Sequence, residues 1–303
     1  MAQRMRYDEW SLWSTTARLV VTKPTLLAAA RELCDGILRD VDRAANRFDP
    51  TSELSRLRGD GAPTEISPLL VDLVREARTA AERTGGAVDP TVGTAMHALG
   101  YDRDIELLRR DGAPPLAMVT RVPGWRRIHL VRDRLFLPPG TRLDLGATAQ
   151  ASAADRCAKA VHRTLGTGAL VSIGADLATA GPSPHGGWQV YVQGDPDDLA
   201  TGLTLGRDSA LATSNTRLRR WTQDGVPRHH LIDPVTAQPV PPCWRTVSVV
   251  ARTCLDANTV ATAAIVKREA ALPWLARLGL TARLVSEHGR VHHLGSWPHE
   301  VAA

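Results

Sequence analysis

Residues 144–176 read DLGATAQASAADRCAKAVHRTLGTGALVSIGAD, and the fold class turns on this stretch. It opens on the polar segment Asp144-Leu145-Gly146 and continues into an Ala-rich run that predicts a helix from Gln150 to Leu165. A short apolar run, Ala169 to Ile173, has the length and composition of a strand, and Gly174 permits a tight turn before Ala175-Asp176.

Upstream, a strand is expected over Trp10 to Thr22. Pro24 then opens a helix with Leu26, Leu27, Ala30, Cys34, Ile37, Leu38 and Val41 at helical spacing. A short helix is expected at Glu53 to Leu57. A long one is expected from Ser67 to Thr84, with Leu70, Leu73, Val74, Ala77 and Ala81 on one stripe and Gly85-Gly86 ending it. Residues 99–125, rich in Arg, Asp, Gly and Pro, read as irregular, and Ile128 to Val131 with Arg134 to Leu137 reads as a hairpin. Downstream the chain is strand-rich: Trp188 to Gln193, Gly202 to Leu205, Ser209 to Thr213, Arg217 to Trp221, His230 to Ile232 and Thr246 to Val250. A helix over Asn258 to Arg268, another from Pro273, and strands Ala282 to Ser286 and Val291 to Gly295 complete it. Long helices beside antiparallel hairpins predict an α+β fold, and no linker divides residues 1–303, so a single domain of one or two closely packed lobes is expected.

Composition removes several classes. Apolar residues make up 43% and charged residues 23% of the 303, which argues against general disorder. No apolar stretch reaches membrane-spanning length and the N-terminus lacks a secretory pattern, so no membrane insertion and a cytoplasmic location are expected. The net charge is +5, but only three of 37 basic residues are lysine, and the arginines are scattered among acids. The short clusters Arg126-Arg127 and Arg217 to Arg220 are not the long basic runs of a nucleic-acid surface, although a local site for an anionic ligand stays open. The four cysteines form no CxxC pair and the ten histidines no HExxH, so buried free thiols are expected rather than a zinc site.

Seven polar segments sit at the joints between these elements. They are Asn46 to Leu54, Gly85 to Gly93, Leu143 to Gln150, Ser172 to Asp176, Ala212 to Thr216, His229 to Pro234 and Asp256 to Thr262. Singly, each has a structural explanation: Asp-Pro pairs make turns, Ser52 with Glu53 caps a helix, and glycines allow tight corners. None is a Walker loop or a dinucleotide-binding glycine fingerprint.

In order, the set resembles the ApbE family of flavin transferases. The residues that carry the resemblance are Ser52-Glu53-Leu54-Ser55-Arg56-Leu57, Gly86-Ala87-Val88-Asp89-Pro90-Thr91, Asp144-Leu145-Gly146, Gly174-Ala175-Asp176, Ala212-Thr213-Ser214-Asn215, His230-Leu231-Ile232-Asp233-Pro234 and Asn258 to Thr262. The resemblance spans Trp10 to Val266 and implies an ApbE-like (T-fold-like) arrangement of mixed sheets with flanking helices. It implies an enzyme that binds FAD and Mg2+, transfers FMN onto a Thr or Ser hydroxyl of an acceptor flavoprotein, and releases AMP. The implied metal ligands are the carbonyl of Ala147, the side chain of Asn258 and the hydroxyl of Thr262. Positions 258 and 262 share one face of a helix, and a hard cation suits oxygen donors. His230 is the implied proton acceptor or phosphate contact, and its bland alternative is a turn histidine bonded to backbone. Thr213 and Ser214 are expected to bond the ligand. Asp176, Asp89 and Thr91 are expected to line or shape its pockets, with Asp89 equally suited to capping a helix.

Five positions depart from the family pattern. Its Lys is Gln150, followed by Ala151 in place of Gly; the second Gly of its G-G-D is Ala175; the Gly after Ser214 is Asn215; and its metal-binding Asp is Asn258. Asp256 reaches the metal if it sits in the loop entering the helix, points about 120° away from Thr262 if the helix already includes it, and is otherwise simply the helix N-cap. Two further readings therefore stay open beside the transferase: a non-catalytic FAD-binding relative, and a pyrophosphatase splitting FAD into FMN and AMP. Val88 replaces a bulky ring near the flavin, with Trp13 and Trp221 as substitutes for stacking or as core residues.

Overall fold

Eight strands pair in chain order, all antiparallel, into one sheet. They are β1 (Tyr7–Leu12), β2 (Thr15–Val21), β3 (Ala169–Ile173), β4 (Asp176–Ala180), β5 (Ala210–Asn215), β6 (Trp244–Ala251), β7 (Thr281–Ser286) and β8 (Val291–Leu294). Four long helices are α1 (Leu27–Ala45), α2 (Pro68–Thr84), α3 (Ala149–Leu165) and α4 (Cys254–Lys267). The computed structural model describes residues 6–111, 122, 124–194, 198, 200–223 and 225–298.

The central strands of the sheet are buried on both faces, and their two-residue period sorts side chains between the two sides. Ala17, Leu19, Val21, Ala169, Val171, Ile173, Ala178 and Ala180 face the helices and join Cys34, Leu38, Leu70, Leu73, Cys157 and Val161. Leu170, Leu177 and Leu211 face the other way, onto Trp188, Val192, Leu203 and Leu205 of the hairpin Trp188–Val192/Thr201–Leu205. α3 and α4 lie on the sheet, α1 packs on α3, and α2 reaches α4.

The helices begin and end where local chemistry directs. The Ser67 hydroxyl accepts from the Leu70 amide at 3.2 Å, Pro68 occupies the first turn, and Gly85 closes α2 in the left-handed conformation at φ +67°. α4 is buried almost throughout, from Ala257 to Ile265. Thr253 is its N-cap, while both carboxylate oxygens of Asp155 on α3 accept from the Cys254 and Leu255 amides at 3.0 and 3.1 Å. Asp155 thereby satisfies two otherwise orphaned donors and locks α4 to α3.

Several expectations need correction. Trp10 to Thr22 is a hairpin rather than one strand, because Trp13 and Ser14 adopt φ of +48° and +56° and reverse the chain in two residues. Glu53 to Leu57 forms turns, not a helix. The Glu53 carboxylate there reaches across to the Ser67 amide (2.5 Å) and hydroxyl (2.6 Å). Inside the stretch read as irregular, Ile105–Asp111 is helical, started by Asp104 accepting from the Glu106 amide at 2.9 Å; residues 112–121 and 123 lie outside the described residues. The strand expected over Arg217 to Trp221 runs instead over Arg220–Gln223, and that over His230 to Ile232 shrinks to Ile232–Asp233. Asp176–Ala180, a central strand, follows Gly174-Ala175 so closely that its turn hid it.

No helix among the described residues is long and apolar enough to cross a membrane. The four cysteines are unbridged; Cys34, Cys157 and Cys254 are buried, whereas Cys243 is half-buried.

Candidate active site

The turn between β3 and β4, the end of β5, the loop before α3 and one face of α4 meet at a cavity of about 540 Å³. Its walls include Asp89, Ala147, Gln150, Asp176, Thr213, Ser214, His230, Asn258 and Thr262, drawn from six of the seven polar segments. Asn46, Arg47 and Phe48 bring in the remaining one. A volume of this order suits a small-molecule ligand.

Asn258 and Thr262 are buried polar residues on a mostly apolar helix, so each needs a partner. The Asn258 amide nitrogen donates to the Ala147 carbonyl at 3.3 Å, the Thr262 hydroxyl donates to Asn258 Oδ1 at 3.4 Å, and Ser214 Oγ lies 3.0 Å from Thr262 Oγ1. The three residues expected to hold a metal are therefore neighbours, joined by Ser214. Asp256 is excluded from them. It lies inside α4, where Thr253 and not Asp256 is the N-cap, and its carboxylate pairs with Arg83. Among the described residues, no group of three or more His, Cys, Asp or Glu side chains converges as a metal site.

Gln150 occupies its position by donating to Asp176 Oδ2 at 2.8 Å and to the Ile173 carbonyl at 3.0 Å, tying the start of α3 to the β3–β4 turn. Burial pushes the Asp176 carboxyl up to about 7, against the smaller lowering effects of Gln150 and the Arg219 charge. His230 is held neutral. Burial, then the Arg219 charge, then His229 push its pKa well below the usual imidazole value, and its Nδ1 has no hydrogen-bond partner.

Thr91 is not on the cavity wall. It is fully buried, donating its hydroxyl to Asp89 Oδ1 at 2.7 Å and accepting from the Gly124 amide at 3.0 Å. Asp89 does line the cavity, and its carboxylate also accepts from the Thr91 and Trp125 amides, so it shapes the loop as a cap. Thr213 lines the cavity and lies 2.8 Å from Ser248 Oγ. Ala175 and Asn215, where the family pattern has Gly, do not occupy positive φ, so neither position demands glycine.

Trp221 is core. It is 3% exposed, stacks on Tyr101 with ring centroids 4.9 Å apart, and donates Nε1 to the Leu99 carbonyl at 2.9 Å. Trp13 is a wall residue at the tip of the β1–β2 hairpin, donating Nε1 to Asp42 at 2.7 Å. Val88 lies on the wall and is only 5% exposed.

Sequence reading overlooked Tyr101 and Arg219 on the wall. The available signal for Arg219 was its place in the Arg217 to Arg220 cluster, between two of the polar segments. Arg47 is also on the wall but fully engaged, pairing with Asp144 at 2.7 Å, donating to the Tyr101 carbonyl at 2.6 Å and stacking on both Phe48 and Tyr101.

The ApbE family model matches residues 13–284. An FAD:protein FMN transferase of Klebsiella pneumoniae is 27% identical over 227 residues, covering 72% of this chain and 65% of that protein. One from Treponema pallidum is 28% identical, covering 74% and 66%, and one from Chlamydia trachomatis is 25% identical, covering 88% and 85%. The chain thus spans just under two thirds of the length of the first two relatives. A crystal structure of an ApbE protein from Thermotoga maritima superposes with a TM-score of 0.83 at 21% identity, covering 98% of this chain and all of that one. The flavinyl transferase ApbE of Pseudomonas stutzeri gives 0.79 at 20% identity, covering 96% and 95%. Both likenesses bear on the fold.

Proposed function

The chain belongs to the ApbE family, and from that premise we propose that it is an FAD:protein FMN transferase, moving FMN from FAD onto a Thr or Ser hydroxyl of an acceptor flavoprotein and releasing AMP. The observation that carries this reading is convergence. Segments scattered from Asn46 to Thr262 line one cavity of ligand size, with a neutral histidine and a cluster of oxygen donors on its walls.

The chemistry assigns roles to named atoms. Phosphoryl transfer needs positioning and charge neutralisation more than covalent help from the protein. The acceptor hydroxyl attacks the FMN-side phosphorus, the bond to the AMP oxygen breaks, and the hydroxyl proton passes to His230. That residue can take it because it lines the cavity and burial keeps its ring neutral. Thr213 and Ser214 orient the ligand from the end of β5, and Asp176 and Asp89 bound its pocket.

A divalent cation, Mg2+ by its preference for oxygen, belongs to the same proposal. The fit rests on the donors present: the Ala147 carbonyl, the Asn258 amide oxygen and the Thr262 hydroxyl. All three are neutral, so they would hold such an ion more weakly than a set with a carboxylate would. Asn258 presents its nitrogen to Ala147, and a half-turn of the amide exchanges nitrogen for oxygen. The cavity gives reason for a cation: five aspartates and two arginines line it, so an anionic pyrophosphate enters a negative field. When bound, the ion supplies charge neutralisation at the pyrophosphate.

The test uses purified protein, FAD, an acceptor domain with an exposed Thr or Ser, and Mg2+ present or absent. AMP release with an acceptor mass gain of one FMN is expected. AMP with free FMN and no adduct would replace the transferase with a pyrophosphatase. Tight FAD binding with no AMP at any Mg2+ concentration would replace it with a flavin-binding protein.

A further inference from the structure

Arginines on this cavity fall into two states. Arg47 has its guanidinium committed to Asp144, the Tyr101 carbonyl and two aromatic faces. Arg219 lies on the wall in the bend after β5, and its guanidinium has no ion-pair or hydrogen-bond partner among the described residues. Its backbone carbonyl accepts from the His230 amide at 3.3 Å, which places it beside the proposed proton acceptor. Its charge is felt by His230, Asp176 and Tyr101, lowering each of them. The other walls carry carboxylates that already have donors: Asp42 takes Trp13 and Asn46, Asp89 takes Thr91 and Trp125, and Asp144 takes Arg47 and Gly146. An uncommitted guanidinium facing a cavity otherwise rich in satisfied carboxylates has one charge left to offer. Its flat fork of donors matches phosphate oxygens.

We infer that Arg219 is the anion-binding residue of this cavity, holding the pyrophosphate of the flavin dinucleotide next to His230. The inference rests on the transferase reading for the identity of the ligand, and on the placement of Arg219 for the anion. It also bears on the neutral donor set at Asn258. With no carboxylate to anchor a cation and no lysine at position 150, the positive charge that acts most strongly on His230 is a guanidinium. Arg219 therefore does electrostatically what a tightly held ion does elsewhere.

The test measures binding of riboflavin, FMN, FAD and inorganic pyrophosphate in EDTA, by flavin fluorescence and by calorimetry. The proteins are the wild type, Arg219→Gln, Arg219→Lys and, as a control on general surface charge, Arg220→Gln. Loss of a charge-assisted contact predicts that Arg219→Gln weakens FAD, FMN and pyrophosphate by about tenfold or more, while uncharged riboflavin changes by less than about twofold. Arg219→Lys should recover part of the loss, keeping the charge without the fork, and Arg220→Gln should bind as the wild type does. Equal weakening of riboflavin and FAD by Arg219→Gln would make the residue structural and overturn the inference. So would unchanged FAD and pyrophosphate binding. A wild type that binds pyrophosphate through Arg219 but no flavin would leave the anion site standing and sink the transferase reading. A wild type that makes AMP from FAD with Arg219→Gln binding unimpaired would do the reverse.

Discussion

Replacing Asp176 by Asn offers a quantitative check on the electrostatics of the cavity. Asp176 is 5% exposed, and its carboxyl titrates near 7 instead of at its ordinary 3.8, with burial as the largest cause. A native pKa above the unfolded one means that the native state keeps the proton where the unfolded chain has lost it. The associated stability is present in full below the unfolded value and is lost as pH rises through about 7. At about 1.4 kcal/mol per tenfold change in proton affinity, the displacement corresponds to about 4 kcal/mol, of which about 3 kcal/mol falls between pH 5 and 8.5. Asn mimics the protonated acid: it has the same shape, and its carbonyl oxygen still accepts from Gln150 Nε2, now 2.8 Å from Asp176 Oδ2. The assay is urea unfolding of ligand-free protein in EDTA at pH 5, 6, 7 and 8.5. The variant should match the wild type within about 1 kcal/mol at pH 5 and exceed it by about 3 kcal/mol at pH 8.5, other titrations cancelling in the difference. Parallel pH profiles for the two proteins would refute the placement of Asp176 as a buried carboxyl without a neutralising cation.

Other consequences are equally direct. His230→Ala should slow AMP release and acceptor labelling by about 10²–10⁴-fold with FAD binding retained, and because burial holds His230 neutral, the wild-type rate should fall only at pH well below the ordinary imidazole value. Asn258→Asp restores a carboxylate beside the Ala147 carbonyl and should tighten Mg2+ by about tenfold or more in a Mg2+ titration of thermal unfolding; unchanged Mg2+ dependence would remove position 258 from the ligand set. Asp155→Ala strips the acceptors from the Cys254 and Leu255 amides and should destabilise the fold by about 2–3 kcal/mol in denaturant unfolding. Thr91→Val, a change buried off the cavity wall, should lower stability while leaving the KM for FAD near its wild-type value.

Local sequence carried the parts of this molecule that depend on near neighbours along the chain. The stripe on α2, the Ser67 cap and the Gly85 stop follow from helical spacing and cap chemistry over a few residues, and they stand where periodicity puts them. The ordered polar segments identified the family, because each is a short turn or helix start whose residues are set by backbone geometry and ligand contact together. Short elements were less legible. Trp13-Ser14 carries no Gly or Asn to announce a left-handed turn, so one strand was expected where two lie, and Ile105–Asp111 shows only two apolar positions, Ile105 and Leu108, that tertiary packing buries.

What only the tertiary structure decided is which of those segments meet, and through which atoms. Ala147 touches Asn258 across 111 positions, Ser214 touches Thr262 across 48, and Gln150 touches Asp176 across 26. No periodicity within one segment encodes such pairs, because they are set by strand register and by the packing of α3 and α4 on the sheet. The same packing withdraws Thr91 from the wall, pins Asp256 to Arg83, buries Trp221 beneath Tyr101 and brings Arg219 to the edge of His230. Sequence determined the local shapes and the family they belong to, since those follow from contacts a few residues apart. The electrostatic character of the site was decided by the fold, since charge and burial at one point are sums over residues the chain brings from far away.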